Sequence, residues 1–142
     1  KLITPKTKLI IINTPQNPTG GILTEDTIRK IADVVKDTDI MILSDEIYSR
    51  LIFTGEHFSI TQIPGMLERT IILEGFSKTY AMTGWRAGYG VMRKDLAELF
   101  SKLMTNSNSC TNYMVQKACI EAYTGPQDAV EHMKAEFLKR SR

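Results

Sequence analysis

Two cationic side chains stand eight positions apart in one glycine-bounded stretch, Gly75 to Gly88 (GFSKTYAMTGWRAG), directly behind an apolar run. Lys78 is the candidate nucleophile. An amine condenses with an aldehyde to a Schiff base only after losing its proton, and burial or a neighbouring cation lowers its pKa for that purpose. Arg86 is such a cation, and its planar guanidinium also presents paired donors that match a phosphate, where an ammonium would act as a point charge. Asn17, Asp45 and Tyr48 each follow an apolar run as well. A carboxylate such as Asp45 at the end of a buried strand is costly unless a cation or donors meet it.

An aldehyde-bearing cofactor with a phosphate would engage both Lys78 and Arg86, and pyridoxal 5′-phosphate has that chemistry. Its protonated ring nitrogen would also satisfy Asp45, a residue that otherwise reads as a helix cap after a strand. The order G-F-S-K-x-x-A-M-x-G-W-R-A-G resembles the lysine signature of the class I and II aminotransferases, the fold-type I pyridoxal-phosphate enzymes. The SDEIY of Ser44 to Tyr48 resembles the D-x-x-Y element of that family, and Asn17 in NPTG resembles its asparagine.

The resemblance implies a role for each residue. Lys78 would bind the cofactor and act as general acid and base, Asp45 would pair with the ring nitrogen, and Tyr48 and Asn17 would contact the phenolic oxygen. Arg86 would hold the phosphate, and Ser77, directly before the lysine, joins the cofactor-side residues. Many relatives carry Ser or Thr three residues before the lysine, where its hydroxyl reaches the phosphate; this chain has Gly75 there. The resemblance also implies an α/β three-layer sandwich with a mostly parallel sheet, amino acid and 2-oxo acid substrates, and a homodimer. Relatives have, upstream, a glycine-rich phosphate turn and an aromatic stacked on the ring, and, downstream, a small domain with the arginine that grips the substrate carboxylate. The expectation is therefore that residues 1–142 are the central part of the cofactor-binding large domain, truncated at both ends and with weak or no activity alone. A carbon–sulfur lyase built on the same lysine and aspartate, and the aminotransferase-like sensing domain of a transcription regulator, are the alternatives.

The elements that must carry these side chains are legible in the periodicity. Lys8–Asn13 (KLIIIN) reads as a buried strand ended by Thr14-Pro15 and by the turn cluster Asn17 to Gly21. Thr24 is an N-cap, Glu25 and Asp26 suit the positive end of a helix, and Ile28, Ile31, Ala32 and Val35 recur at helical spacing to about Lys36. Ile40–Leu43 (IMIL) reads as a strand covered on both faces, as in a parallel sheet, and Thr70–Glu74 (TIILE) as a third. Gly88–Met92 reads as a fourth, its glycines suiting close backbone approach. Helices are predicted over Lys94–Met104, with Leu96, Leu99, Phe100 and Leu103 on one face, over Tyr113–Tyr123, and from Pro126 to the end of the chain. The polar loop Thr105–Asn112 lies between the first two. Ligands of open α/β sheets lie at the carboxyl ends of the strands, where Asn17, Asp45, Tyr48 and Lys78 all fall.

Composition restricts the rest. With 142 residues, 42% hydrophobic and 24% charged, the chain can bury one core and is neither disordered nor fibrous. A net charge of +2, with dispersed Lys and Arg apart from Lys139, Arg140 and Arg142, gives no nucleic-acid patch. No apolar run approaches a membrane span and no signal-peptide pattern opens the chain, so a cytoplasmic protein is expected. Cys110 and Cys119 have no metal-ligand spacing and read as reduced structural thiols. His57 and His132 read as surface or satisfied histidines, and Tyr80, Met82, Trp85 and Tyr89 as core or interface.

Overall fold

The computed structural model describes residues 2–141; Lys1 and Arg142, with the last step of the predicted terminal helix and basic run, lie outside the described residues. Four strands form one sheet in the order β1 (Leu9–Asn13), β2 (Met41–Asp45), β3 (Thr70–Gly75) and β4 (Gly88–Val91). The first three are parallel, with Asn13 beside Asp45 and Asp45 beside Leu73. β4 is antiparallel to β3, with Gly75 opposite Gly88. The expected mostly parallel sheet is therefore present, closed by one strand that runs back.

Helix α1 (Glu25–Val35) links β1 to β2, the crossover that parallel neighbours require. The Thr24 side chain accepts from the Thr27 amide at 3.3 Å, and Glu25 and Asp26 occupy the first turn, where they also pair with Arg29 and Lys30 one turn on. Such exposed pairs contribute about 0.3–0.5 kcal/mol each, so burial governs where the helix sits. Its inward face, Ile28, Ala32 and Val35, packs with Ile12, Ile40, Ile42, Ile60 and Met66 into one core. Full burial of a side chain such as Ile28 contributes about 2 kcal/mol.

The opposite face of the sheet is more open among the described residues. Ile11 is 69% exposed and Leu73 37%. Within β2, Ile42 and Ser44 are buried while Met41, Leu43 and Asp45 are half-buried, so the two-sided cover expected for this strand is met on one side. The strand's alternation, hidden by its uniformly apolar wording, is visible only in the packing.

Three helices follow: α2 (Lys94–Ser107), α3 (Tyr113–Thr124) and α4 (Asp128–Arg140). α2 runs three residues past the predicted Met104, because Thr105, Asn106 and Ser107 return their side chains to the carbonyls of Ser101, Lys102 and Leu103, one turn back. The polar loop is thus shortened to residues 108–112, and the predicted apolar face of α2 leaves Leu99 and Leu103 largely exposed. α3 does pack: Cys119 joins Phe76, Met82 and Ala87 in a second core, flanked by Tyr80, Val115, Ala118 and Ala122. Of the two thiols, Cys119 is buried and Cys110 exposed, and neither is in a disulfide. Among the described residues no cluster of His, Cys, Asp or Glu has metal-site geometry, and no helix is long and apolar enough to cross a membrane.

Candidate active site

The parallel run of β1, β2 and β3 brings three chain segments to one edge of the sheet. Asn17 lies four residues after β1, Asp45 ends β2, Tyr48 lies three residues beyond, and Lys78 lies three residues after β3. Arg86 reaches the same edge from the other direction. Because β4 is antiparallel to β3, the two residues before it sit where β3 ends, so the stretch from Phe76 to Ala87 leaves and rejoins the sheet at one place. The Phe76 amide donates to the Ala87 carbonyl at 3.3 Å and closes the loop.

That loop is rooted by its apolar residues. Phe76, Met82 and Ala87 are buried against α3, and the rings of Phe76, Tyr80, Tyr89 and Tyr123 lie with centroids 5.2–5.9 Å apart, mostly tilted or edge-on. Tyr89 and Tyr123 also share a hydrogen bond between hydroxyls. Burial raises both phenolic pKa values, so both remain protonated at neutral pH. Of the residues expected in a core or an interface, Tyr80 and Met82 pack in this core, while Trp85 is 51% exposed on a single helical turn with no buried residue and lies outside it.

Two non-glycine residues in the loop have positive φ, Ala81 (53°) and Arg86 (54°). Each costs of order 1 kcal/mol, and such conformations persist where surrounding contacts hold them. For Arg86 those contacts are specific: its Nη1 donates to the Thr83 carbonyl at 3.0 Å, and the Thr83 hydroxyl donates to the Ser77 carbonyl at 3.1 Å. The guanidinium is thereby tied to the backbone of the residue preceding Lys78, with its remaining N–H groups free of these bonds.

The polar side chains meet around Tyr48. Asn17 Nδ2 donates to the Tyr48 hydroxyl at 3.2 Å, and Lys78 Nζ lies 5.6 Å from the centroid of the same ring. The tyrosine oxygen accepts from Asn17, which leaves its own hydrogen free to donate to a third group. Asp45 is half-buried; its Oδ1 accepts from the Ile47 amide at 3.3 Å and its carbonyl accepts from Asn13 Nδ2 at 3.4 Å. Of the predicted set, Asn17 and Lys78 each approach Tyr48, Arg86 is joined to the Ser77 backbone through Thr83, and Asp45 ends the strand on whose following turn Tyr48 stands.

A phosphopyridoxal group fits this donor set. It needs an amine for the aldehyde, an anion for the ring nitrogen, a donor for the phenolic oxygen and a cation for the phosphate, and the edge carries Lys78, Asp45, Tyr48 with Asn17, and Arg86. Close approach of backbone is also built in. A Cβ on Gly75 would lie 3.1 Å from Ile47 Cδ1 and 3.2 Å from the Ala87 carbonyl, so a larger residue there would crowd the loop closure.

Several residues that hold the site were not singled out by sequence. Glu46 is 5% exposed and accepts from Ser44, His57 and Ser59. Ser49 donates to Glu74 at 2.7 Å, and Arg50 donates to the hydroxyl of Tyr80 at 3.1 Å and to Gln127 at 2.7 Å. The turn carrying Tyr48 is thus tied to β3, to the Lys78 loop and to the chain before α4. The signal for Glu46 was its parity with Ile42 and Ser44, which puts it on the buried side of β2; its partners lie too far along the chain to be read.

The family model described as aminotransferase class I and II matches residues 1–142. The chain is 45% identical over 140 residues to the aspartate aminotransferase of Bacillus sp. (strain YM-2), covering 97% of this chain and 36% of that protein. It is 41% identical to aromatic-amino-acid aminotransferase 2 of Thermococcus litoralis, covering 99% and 37%. Among solved structures, the aromatic aminotransferase of Pyrococcus horikoshii superposes with a TM-score of 0.94 at 39% identity, covering 98% of this chain and 38% of that one. The aspartate aminotransferase of Thermotoga maritima superposes at 0.90 with 33% identity, covering 98% and 36%. The chain thus spans little more than a third of the length of these relatives.

Proposed function

Since the chain belongs to the class I and II aminotransferases, whose membership implies dependence on pyridoxal phosphate, we propose that the complete protein transfers amino groups between amino acids and 2-oxo acids. Residues 1–142 then form the central part of its cofactor-binding large domain. The observation that carries this reading is the convergence of Asn17, Tyr48 and Lys78, from three different segments, at the sheet edge where Asp45 ends β2.

When bound, the cofactor supplies an electron sink for the pair released at the substrate's α-carbon. The chain's residues do the rest. Lys78 would hold the cofactor through its amine and would take and return the α-carbon proton as general base and acid. Asp45 keeps the ring nitrogen protonated by presenting a carboxylate to it. Tyr48 would donate its free hydroxyl hydrogen to the phenolic oxygen, and Asn17, which donates to that hydroxyl at 3.2 Å, would contact the same oxygen and help orient the substrate carboxylate. Arg86 clamps the phosphate, with Ser77 beside it on the loop. A homodimer and a cytoplasmic location belong to the same reading. The relatives reported above carry aminotransferase names, which supports amino-group transfer over a carbon–sulfur lyase or a sensing domain.

The decisive experiment is Lys78→Ala in the complete protein. The visible absorbance of lysine-bound cofactor disappears and transamination is lost; an unchanged spectrum refutes the assignment.

A further inference from the structure

Glu46 places a carboxylate where the strand pattern calls for an apolar residue. It follows Asp45 on the buried side of β2, in line with Ile42 and Ser44, and only 5% of its surface is exposed. An apolar residue of similar volume would be at least as stabilising there, because desolvating a carboxylate consumes what its partners return. What a carboxylate adds is direction. Ser44 Oγ and Ser59 Oγ both donate to Oε1 at 2.8 Å, and His57 Nε2 lies 2.7 Å from Oε2.

The imidazole is committed to this one contact. His57 Nδ1 is buried and has no hydrogen-bond partner among the described residues, so with the hydrogen on Nε2 the ring's polar engagement is Glu46 alone. Burial pushes the Glu46 pKa up, but donation from His57, Ser59 and Ser44 outweighs it and holds the pKa below the ordinary value, so the group is ionised at neutral pH. The backbone is fixed as well. The Glu46 amide donates to the Leu73 carbonyl at 3.0 Å, extending the β2–β3 ladder one residue past Asp45, and the Glu46 carbonyl accepts from the Ser49 amide at 2.8 Å, closing the turn that bears Tyr48.

We propose that Glu46 is a positioning residue for the cofactor site: by gathering Ser44, His57 and Ser59 on its carboxylate it sets the strand-to-turn geometry that aims Asp45 and Tyr48. This rests on the cofactor assignment above. Glu46 makes no contact with the cofactor in this scheme and acts only through its two neighbours. His57 and Ser59, on the segment after Phe53, are thereby part of the site's support.

The test uses the complete protein as wild type, Glu46→Gln, Ser59→Ala and Lys78→Ala. Three quantities are read: pyridoxal phosphate affinity of the apoprotein, the pH midpoint of the bound cofactor's absorbance change, and Tm. Glu46→Gln puts an amide N–H where Oε2 faced His57 Nε2, so either the ring moves its hydrogen to the buried, unpartnered Nδ1 or the turn shifts, and the charge that gathers the three donors is lost in both cases. The expected result is an affinity loss of roughly tenfold, a misplacement effect, and a higher pH midpoint as Tyr48 loses its grip on the phenolic anion. Ser59→Ala moves both in the same direction by less, and decides the matter if Glu46→Gln does not fold. A lower Tm with affinity and midpoint unchanged overturns the proposal and leaves Glu46 a residue of the core. If Lys78→Ala abolishes the absorbance while the other variants match wild type, the cofactor assignment stands and the positioning role falls. If wild type binds no cofactor, both fall.

Discussion

The carboxamide of Asn17 and the hydroxyl of Tyr48, 31 residues apart in sequence, meet in a hydrogen bond of 3.2 Å in which the asparagine is the donor. The direction of that bond matters more than its strength. An exposed bond of this kind contributes at most about 1 kcal/mol, yet it dictates which way the phenolic hydrogen faces. Tyr48→Phe in the complete protein is therefore expected to leave Tm within a few degrees of wild type while weakening cofactor binding and raising the pH midpoint of the bound chromophore. Spectrophotometric pH titration checks this, and a midpoint equal to wild type would remove Tyr48 from the site.

Arg69 joins the end of α1 to the start of β3. Its guanidinium donates to the carbonyls of Val35 at 2.6 Å and Lys36 at 3.2 Å, acceptors that the helix leaves at its C-terminus, and to that of Thr38 at 2.7 Å in the turn beyond. Arg69→Ala removes three charge-assisted bonds, although the Val35 carbonyl keeps the Thr38 amide and hydroxyl as donors, and is expected to cost about 1–2 kcal/mol. Arg69→Lys, lacking the fork of donors, recovers less than half of it. Urea denaturation of the three proteins measures both.

Glu46 and Glu74 respond to acid in opposite senses. Burial pushes the Glu74 carboxyl above its ordinary 4.5, against donation from Ser49 and the Gly75 amide. The folded state then holds the proton more tightly than the unfolded chain, and stability falls as pH rises from 4.5 through the folded pKa. Glu46, held below 4.5, contributes stability that is present above that value and lost as pH falls through its folded pKa. Glu74→Gln, whose amide can give to Ser49 and accept from Gly75, is expected to raise Tm at neutral pH and flatten the profile just above pH 4.5. A Tm series across pH decides it; a lower neutral Tm would mean that the charge itself is needed.

Much of this arrangement could be read from the residues in order. Ile28, Ala32 and Val35 announce α1 and its buried face, and KLIIIN, IMIL and TIILE announce the three parallel strands, because each segment's period or length is a local property. Convergence of Asn17, Asp45, Tyr48 and Lys78 at one edge follows from parallel pairing alone. The arrival of Arg86 there does not, since nothing in Gly-Tyr-Gly tells an antiparallel return from a parallel continuation. His57 shows the same limit. It reads as a satisfied histidine and at Nε2 it is one, but the identity of its acceptor depends on how β2 and the following loop fold back. The end of α2 was missed for a local reason, the side-chain bonds of Thr105, Asn106 and Ser107 to carbonyls one turn earlier, which keep polar residues helical.

The pairing of Gly75 with Gly88 closes the twelve residues between them into a unit stapled at one point of the sheet. Amine and guanidinium are thus spaced by a short local circuit, independent of the long crossover that assembles the other strands. In engineering terms that circuit is a cassette: residues 76–87 can be exchanged between homologues as one piece, provided both bounding glycines and the α3 surface beneath Phe76 travel with it.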